Sequence, residues 1–155
     1  MPRRKQQPRK PYQRRAGSSN QFIAIYYDLI DSEAWRSLSP MQQRLYIVCV
    51  RESHNAKTTP EGGTFDERLF FMNKALRTTV HKLYPPSDTR RFKHDMAKLI
   101  EVGFVDCVHS NYKSREPNLY RLSARWGAWG TDSHELPDDV MTNYMLRQRT
   151  EDKPW

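Results

Sequence analysis

Between Ser87 and Ser123 the apolar positions change period once, from helical to alternating. Phe92, Met96, Leu99 and Ile100 recur at helical spacing, while Arg90, His94, Lys98 and Glu101, with Arg91 beside them, fall on the opposite face. The pattern predicts an amphipathic helix with a basic outer side. Ser87 or Asp88 can cap its first turn by accepting a backbone N–H, and Gly103 stands where the helix must stop, because glycine takes the left-handed conformation without a Cβ clash. Residues 104–109 are aromatic and β-branched, as a strand requires. Residues 111–118 are polar around Lys113, Arg115 and Pro117, and 119–122 return as a second strand. A basic helix therefore leads into a hairpin with a basic tip.

Upstream, residues 22–27 (FIAIYY) form a short apolar run suited to a strand or an extended lead-in, with Tyr26 and Tyr27 as core and strand positions. Residues 28–38 place Leu29, Ile30, Ala34 and Trp35 at helical spacing as core. Ser39 followed by Pro40 opens a helix that runs to about His54. In it Met41, Leu45, Val48, Cys49 and Glu52 track one stripe, widened by Tyr46, Ile47 and Val50, which makes this helix central to the core. Residues 55–66 (NAKTTPEGGTFD) collect turn formers and read as a loop. Residues 69–72 fit a small strand, and Asn73 can cap a helix over 74–83 with Ala75, Leu76, Val80 and Leu83 inward, closed off by Pro85 and Pro86. After Trp126, GAWGTDSHELP reads as a linker. A last helix follows, with Pro137 at its start, Asp138 and Asp139 in its first turn and Arg147 and Arg149 near its end. Its narrow stripe of Val140, Met141, Tyr144 and Met145 either docks back on its own domain or pairs two copies in a homodimer.

The run LIEVGFVDCVHS…NLYRLSARW, preceded by a short helix at MNKALRTTVHKL, resembles the second half of a winged helix-turn-helix domain. It is particularly similar to those of bacterial plasmid, phage and conjugative-element proteins, in which a helix ends Leu-Ile-x-x-Gly-Phe-Ile/Val and a wing closes on Tyr-x-Leu/Phe-Ser. The pattern Leu-Ile-Asp-Ser-x-Ala-Trp-x-x-Leu-Ser at 29–39 likewise resembles the opening of helix-turn-helix replication and regulatory proteins of mobile elements. The resemblance spans residues 22–126 and departs from the family at LYPPSD (83–88), where a compact turn is usual. It implies an α+β, mainly α fold: a winged helix-turn-helix with a two-stranded wing. It also implies sequence-selective binding of double-stranded DNA in replication, transfer or transcription control of a mobile element. By the same resemblance the helix from Asp88 would lie in the major groove, with Arg90, Arg91, His94 and Lys98 on bases or phosphates. Thr78, Thr79 and Lys82 would hold phosphates from the preceding helix, and Lys113 and Arg115 would reach the backbone or the neighbouring minor groove.

A chain of 155 residues suits one core plus tails. The expected division is a disordered basic arm over 1–20, a winged-helix domain over 21–126, and a linker with a C-terminal helix over 127–155. The net charge of +8 is unevenly spread. Residues 1–20 hold seven bases (Arg3, Arg4, Lys5, Arg9, Lys10, Arg14 and Arg15) and no acid; residues 21–72 hold five bases and seven acids; residues 73–125 hold eleven and five; residues 126–155 hold three and six. Positive charge is thus confined to the arm and the predicted winged half, an electrostatic footprint for a polyanion. The arm carries too little apolar surface to offset the entropy of ordering and would contact phosphates or a groove, the alternatives being a solubilising tail or an arm for RNA or an acidic protein.

No apolar run is long enough to cross a membrane, and the first 20 residues lack a secretory segment, so a cytoplasmic protein with no membrane partner is expected. Cys49 and Cys107 fall on core-facing patterns and are expected as reduced thiols. The five histidines and two cysteines form neither CxxC nor HxxxH, and no phosphate-gripping glycine motif or GxSxG elbow occurs. No metal, cofactor or enzymatic activity is therefore expected. Two alternatives come from other classes. One is an adaptor whose winged helix and C-terminal helix bind a replication or transfer protein. The other is a tyrosine-dependent nickase using Tyr26 or Tyr27, although no His-x-His metal pair accompanies them. RNA is disfavoured because the pattern offers no aromatic platform for single strands.

Overall fold

Ser32 divides what the apolar spacing reads as one helix. In the computed structural model, which describes residues 22–55, 68–109 and 118–136, its backbone is extended (φ −68°, ψ 149°). Its hydroxyl donates to the Leu29 carbonyl and accepts from the Trp35 N–H. The result is two short helices, α1 (Tyr27–Asp31) and α2 (Glu33–Arg36). The break turns Ile30 outward, and Tyr26 and Tyr27 are also exposed rather than core or strand positions, because only Ile23 and Ile25 of the lead-in reach the core. The expected strand over 22–27 does not form.

The long helix α3 (Pro40–Asn55) starts as predicted. The Gln42 N–H donates to Ser39 Oγ at 3.2 Å and the Ser39 N–H donates to Gln42 Oε1 at 2.9 Å, a reciprocal capping box. Next come β1 (Leu69–Phe71) and a short helical stretch headed by Asn73, whose Oδ1 accepts the Leu76 N–H at 2.9 Å. That stretch is π-helical over Leu76–Val80, and the His81 N–H reaches back five residues to the Leu76 carbonyl. The wider turn breaks the 3.6-residue period on which the expected inward positions depended. Ala75 and Val80 consequently face solvent, while Leu83 and Tyr84 are buried.

The amphipathic helix is α4 (Thr89–Val102), capped by Asp88, whose Oδ1 accepts the Arg91 N–H at 3.2 Å. Gly103 ends it with φ +101°. A Cβ there would lie 2.6 Å from the Trp126 nitrogen, so both the conformation and the close approach require glycine. Strands β2 (Val105–His109) and β3 (Leu119–Leu122) follow, and β3 pairs antiparallel with β1 on one side and β2 on the other. The class is α+β, mainly helical, with one small three-stranded antiparallel sheet.

The predicted inner face of α4 (Phe92, Met96, Leu99, Ile100) is buried against Leu45 and Cys49 of α3 and Phe104, Val105 and Cys107 at the sheet. Both cysteines are free thiols in this core. The segment after β3, expected as a linker, is instead docked on it. A 3-10 turn (Arg125–Ala128) stacks Trp126 on Phe104, with ring centroids 5.8 Å apart and planes at 12°. The basic arm, the loop over 56–66, the wing tip and the helix expected after Pro137 lie outside the described residues.

Candidate nucleic-acid interface

The first two turns of α4 present Arg90, Arg91, Lys93 and His94 to solvent. Residues 89–97 contain one acid, Asp95, and it is turned inward. Its Oδ1 accepts from Gln42 Nε2 at 3.0 Å and its Oδ2 from the Tyr84 hydroxyl at 2.7 Å. The exposed side of this half-helix therefore bears cations without an interleaved acid. Burial, and then the hydrogen bond to Asp95, push the Tyr84 phenol well above its ordinary value, so Tyr84 stays a neutral donor. His94 Nδ1 lies 3.6 Å from Asp95 Oδ1, which holds the ring beside the cationic face.

These charges oppose the helix's own stability. The N-terminus of a helix is the positive end of its dipole and favours acids in the first turn by about 0.3–1 kcal/mol each. α4 has no acid in its first turn and has three cations across its first two, Arg90, Arg91 and Lys93. Cationic side chains and the helix dipole thus converge on one end of one element, an arrangement suited to an external anion. Lys93 lies beside the stripe of Arg90, His94 and Lys98 that helical spacing marks as basic. Its signal was its place three residues after Arg90, on the outer side of the same turn.

Lys98, also expected on this face, is separated from it. Its ammonium is 3.6 Å from Glu101 Oε2 and 5.1 Å from the centroid of the Trp129 ring, in the segment docked after β3. That segment is tied down at several points. His134 Nε2 lies 2.8 Å from the Glu101 carbonyl and Nδ1 lies 3.3 Å from that of Arg125, while Trp129 meets the His134 ring edge-on. Arg125 donates to the Ile100 carbonyl (2.8 Å), to Asp106 Oδ1 (2.7 and 3.0 Å) and to the Glu135 carbonyl (3.0 Å). The open basic part of α4 is its N-terminal half.

Thr78, Thr79 and Lys82 sit on the π-helical turn and just beyond it. Thr78 Oγ donates to the Lys74 carbonyl at 2.8 Å, Thr79 and Lys82 are exposed, and Lys82 has φ +50°. The turn is bound to the start of α4 through Arg77, whose guanidinium lies 4.4 Å from the Phe92 ring centroid and whose carbonyl accepts from the Leu83 and Tyr84 N–H groups. Burial lowers the Arg77 pKa from its ordinary value. On its other side, His81 Nε2 lies 2.7 Å from Glu52 Oε1 on α3. Lys113, Arg115 and the arm residues Arg3, Arg4, Lys5, Arg9, Lys10, Arg14 and Arg15 lie outside the described residues.

Among the described residues no group of three or more His, Cys, Asp or Glu side chains could hold a metal ion, and no helix is long and apolar enough to cross a membrane. No protein-family model, curated protein or solved structure matches the chain.

Proposed function

We propose that the chain is a winged-helix protein that binds double-stranded DNA, with the N-terminal half of α4 in the major groove, in replication, transfer or transcription control of a mobile element. Binding rather than catalysis is the proposed activity. The observation that carries it is the first two turns of α4, where Arg90, Arg91, Lys93 and His94 are exposed while Asp95 is withdrawn into a buried hydrogen-bonded site. Support also comes from the element order, in which α1, α2 and α3 are followed by a strand, two helical stretches and two further strands, with β3 between β1 and β2. That order suits a domain which offers one helix to a groove and a wing beside it. The major groove admits an α-helix, and a bidentate arginine on guanine discriminates by about 1–3 kcal/mol. Thr79 and Lys82 would flank that helix on phosphates, and the basic arm would add sequence-independent contacts.

A salt titration of binding to a mixed-sequence duplex tests this. The full chain should lose affinity steeply with salt, and the Arg90→Ala/Arg91→Ala/Lys93→Ala variant should flatten the log–log slope by roughly 0.9 for each phosphate contact removed. Removing residues 1–19 should flatten it further. No duplex binding at low salt would sink the proposal and turn attention to a protein-binding adaptor. Binding that depends on the arm and is indifferent to the α4 triple variant would confine the interaction to the tail.

A further inference from the structure

The basic stripe of α4 is cut short by what packs on it. The His94 side chain is 51% exposed, whereas that of Lys98, one turn further on, is 18% exposed. Lys98 is covered by residues 129–136 (WGTDSHEL), whose Trp129 ring centroid lies 5.1 Å from its ammonium, and it is paired with Glu101 at 3.6 Å. The chain leading to this cover is built into the core: the Trp126 ring stacks on Phe104, and the Trp126 N–H donates to the Gly103 carbonyl at 3.1 Å. The cover itself is held from outside. Residues 130–133, 135 and 136 are exposed, His134 Nε2 sits 2.8 Å from the Glu101 carbonyl, and the Glu135 carbonyl accepts from Arg125 Nη1 at 3.0 Å. Glu101 lies in the last turn of α4, where carbonyls lack an intrahelical donor and water can take that place. Lifting residues 129–136 therefore costs the partly buried contact of Trp129 and leaves the polar partners to solvent. The segment holds Asp132 and Glu135 but no Lys or Arg, so it lays negative charge against a basic helix, as the phosphates of a duplex would.

We propose that residues 129–136 are an autoinhibitory strap, which occupies Lys98 in place of a phosphate and is displaced when duplex DNA extends its contact along α4. The inference rests on the duplex reading above and supplies its regulation. With the strap in place, a duplex meets only the N-terminal half of the helix. With it lifted, Arg90, His94 and Lys98 form one stripe over about 12 Å of helix. Arg125 and Trp126 stay in place through Asp106 and Phe104, so the strap swings from the stretch 127–130, which holds two glycines.

The test compares full chains by fluorescence anisotropy on a labelled mixed-sequence duplex across a salt series, with hydrogen exchange run on the same samples. Trp129→Ala/His134→Ala releases the strap. It should tighten binding near 0.1 M salt by about three- to tenfold and steepen the log–log slope by roughly 0.9, the signature of one further phosphate contact. Adding Lys98→Ala to that variant should return both quantities to the parent's values. In the parent chain, which needs no substitution, saturating duplex should speed the exchange of amides 130–136 while slowing that of the first turns of α4. The strap is overturned if the released variant, with its α3 amides still protected, binds with the parent's slope, or if Lys98→Ala leaves the gain intact. It is equally overturned if duplex leaves amides 130–136 as protected as before. Any of these results beside duplex binding by the parent leaves the α4 proposal standing. Absence of duplex binding by both the parent and the released chain refutes the α4 proposal and the strap with it.

Discussion

Asp95 holds three parts of the chain together at one carboxyl group. It accepts from Gln42 on α3 and from Tyr84 in the approach to α4, while standing on α4 itself. The same Gln42 side chain closes the capping box at the start of α3 through its Oε1, so one amide serves both a local cap and a tertiary contact. Buried polar groups of this kind cost little when paired and about 1–3 kcal/mol each when left alone. Asp95→Ala strands two buried donors and should lower stability by about 2–5 kcal/mol in urea unfolding; Asp95→Asn, which keeps one carbonyl acceptor, should lose less. A midpoint unmoved by Asp95→Ala would show that the contacts contribute nothing. Loss of this carboxyl should also reorient the first turn of α4, so duplex affinity should fall in the same variant.

At the scale of elements, α4 is divided by what covers it. Its N-terminal half is open and cationic, and its C-terminal half lies beneath the segment that follows β3, with Lys98 against Trp129. Arg125 is the anchor of that segment, reaching the end of α4 at Ile100, β2 at Asp106 and the segment's own Glu135. Breaking a largely buried ion pair costs more than its net contribution, because the partner is left unpaired. Arg125→Ala should therefore destabilise by about 2–4 kcal/mol. Hydrogen exchange should show amides 126–136 losing protection before those of α3 and the first turns of α4, the expected behaviour of a locally unfolding unit. Uniform loss across the molecule would instead make the segment an inseparable part of the core.

At the scale of the whole molecule, titration of the buried hydroxyls and thiol limits stability at high pH. Burial pushes Tyr46 up to about 12, and raises Tyr84, Tyr120 and Cys49 as well. In the unfolded chain tyrosine loses its proton near pH 10 and cysteine near 8.5. Above those values the unfolded state binds fewer protons than the folded one, so the free energy of unfolding falls as pH rises. The contribution is fully present at neutral pH and is lost progressively from about pH 9 upward. Phenolate absorbance of the buried tyrosines should appear together with the loss of circular dichroism, and Tyr84→Phe should make the decline shallower above pH 10. Stability that stays flat from about pH 9 to 11.5 would refute this. Net positive charge is concentrated in residues 1–20 and 73–125, so on the proposed function a polyanion would be drawn to those parts of the chain rather than to the surface at large.

Much of the molecule was determined by the sequence alone. The extent of α3 and α4, the caps at Ser39, Asn73 and Asp88, the stop at Gly103 and the strands on either side of the hairpin follow from local spacing and backbone chemistry, which act within a few residues. Arg90, Arg91 and His94 on the outer side of α4 follow from the same spacing, whereas Lys98 on that stripe is covered by the segment after β3 and Lys93, beside the stripe, joins the exposed face. The tertiary structure decided what local periodicity cannot carry. A π-helical turn shifted the inward positions after Asn73, a serine split the first helix, and an extended lead-in exposed the tyrosines that its apolar composition had assigned to the core. The glycine-rich stretch after Trp126 reads locally as a spacer, yet it is docked because Phe104, Lys98 and Glu101, distant in sequence, offer a ring, a cation and a carbonyl to it. Asp95 belongs to the same class: on a helical wheel it is one charge among many. Only packing brings Gln42, 53 residues away, and Tyr84 to it, and that contact leaves the outward half of α4 to cations alone.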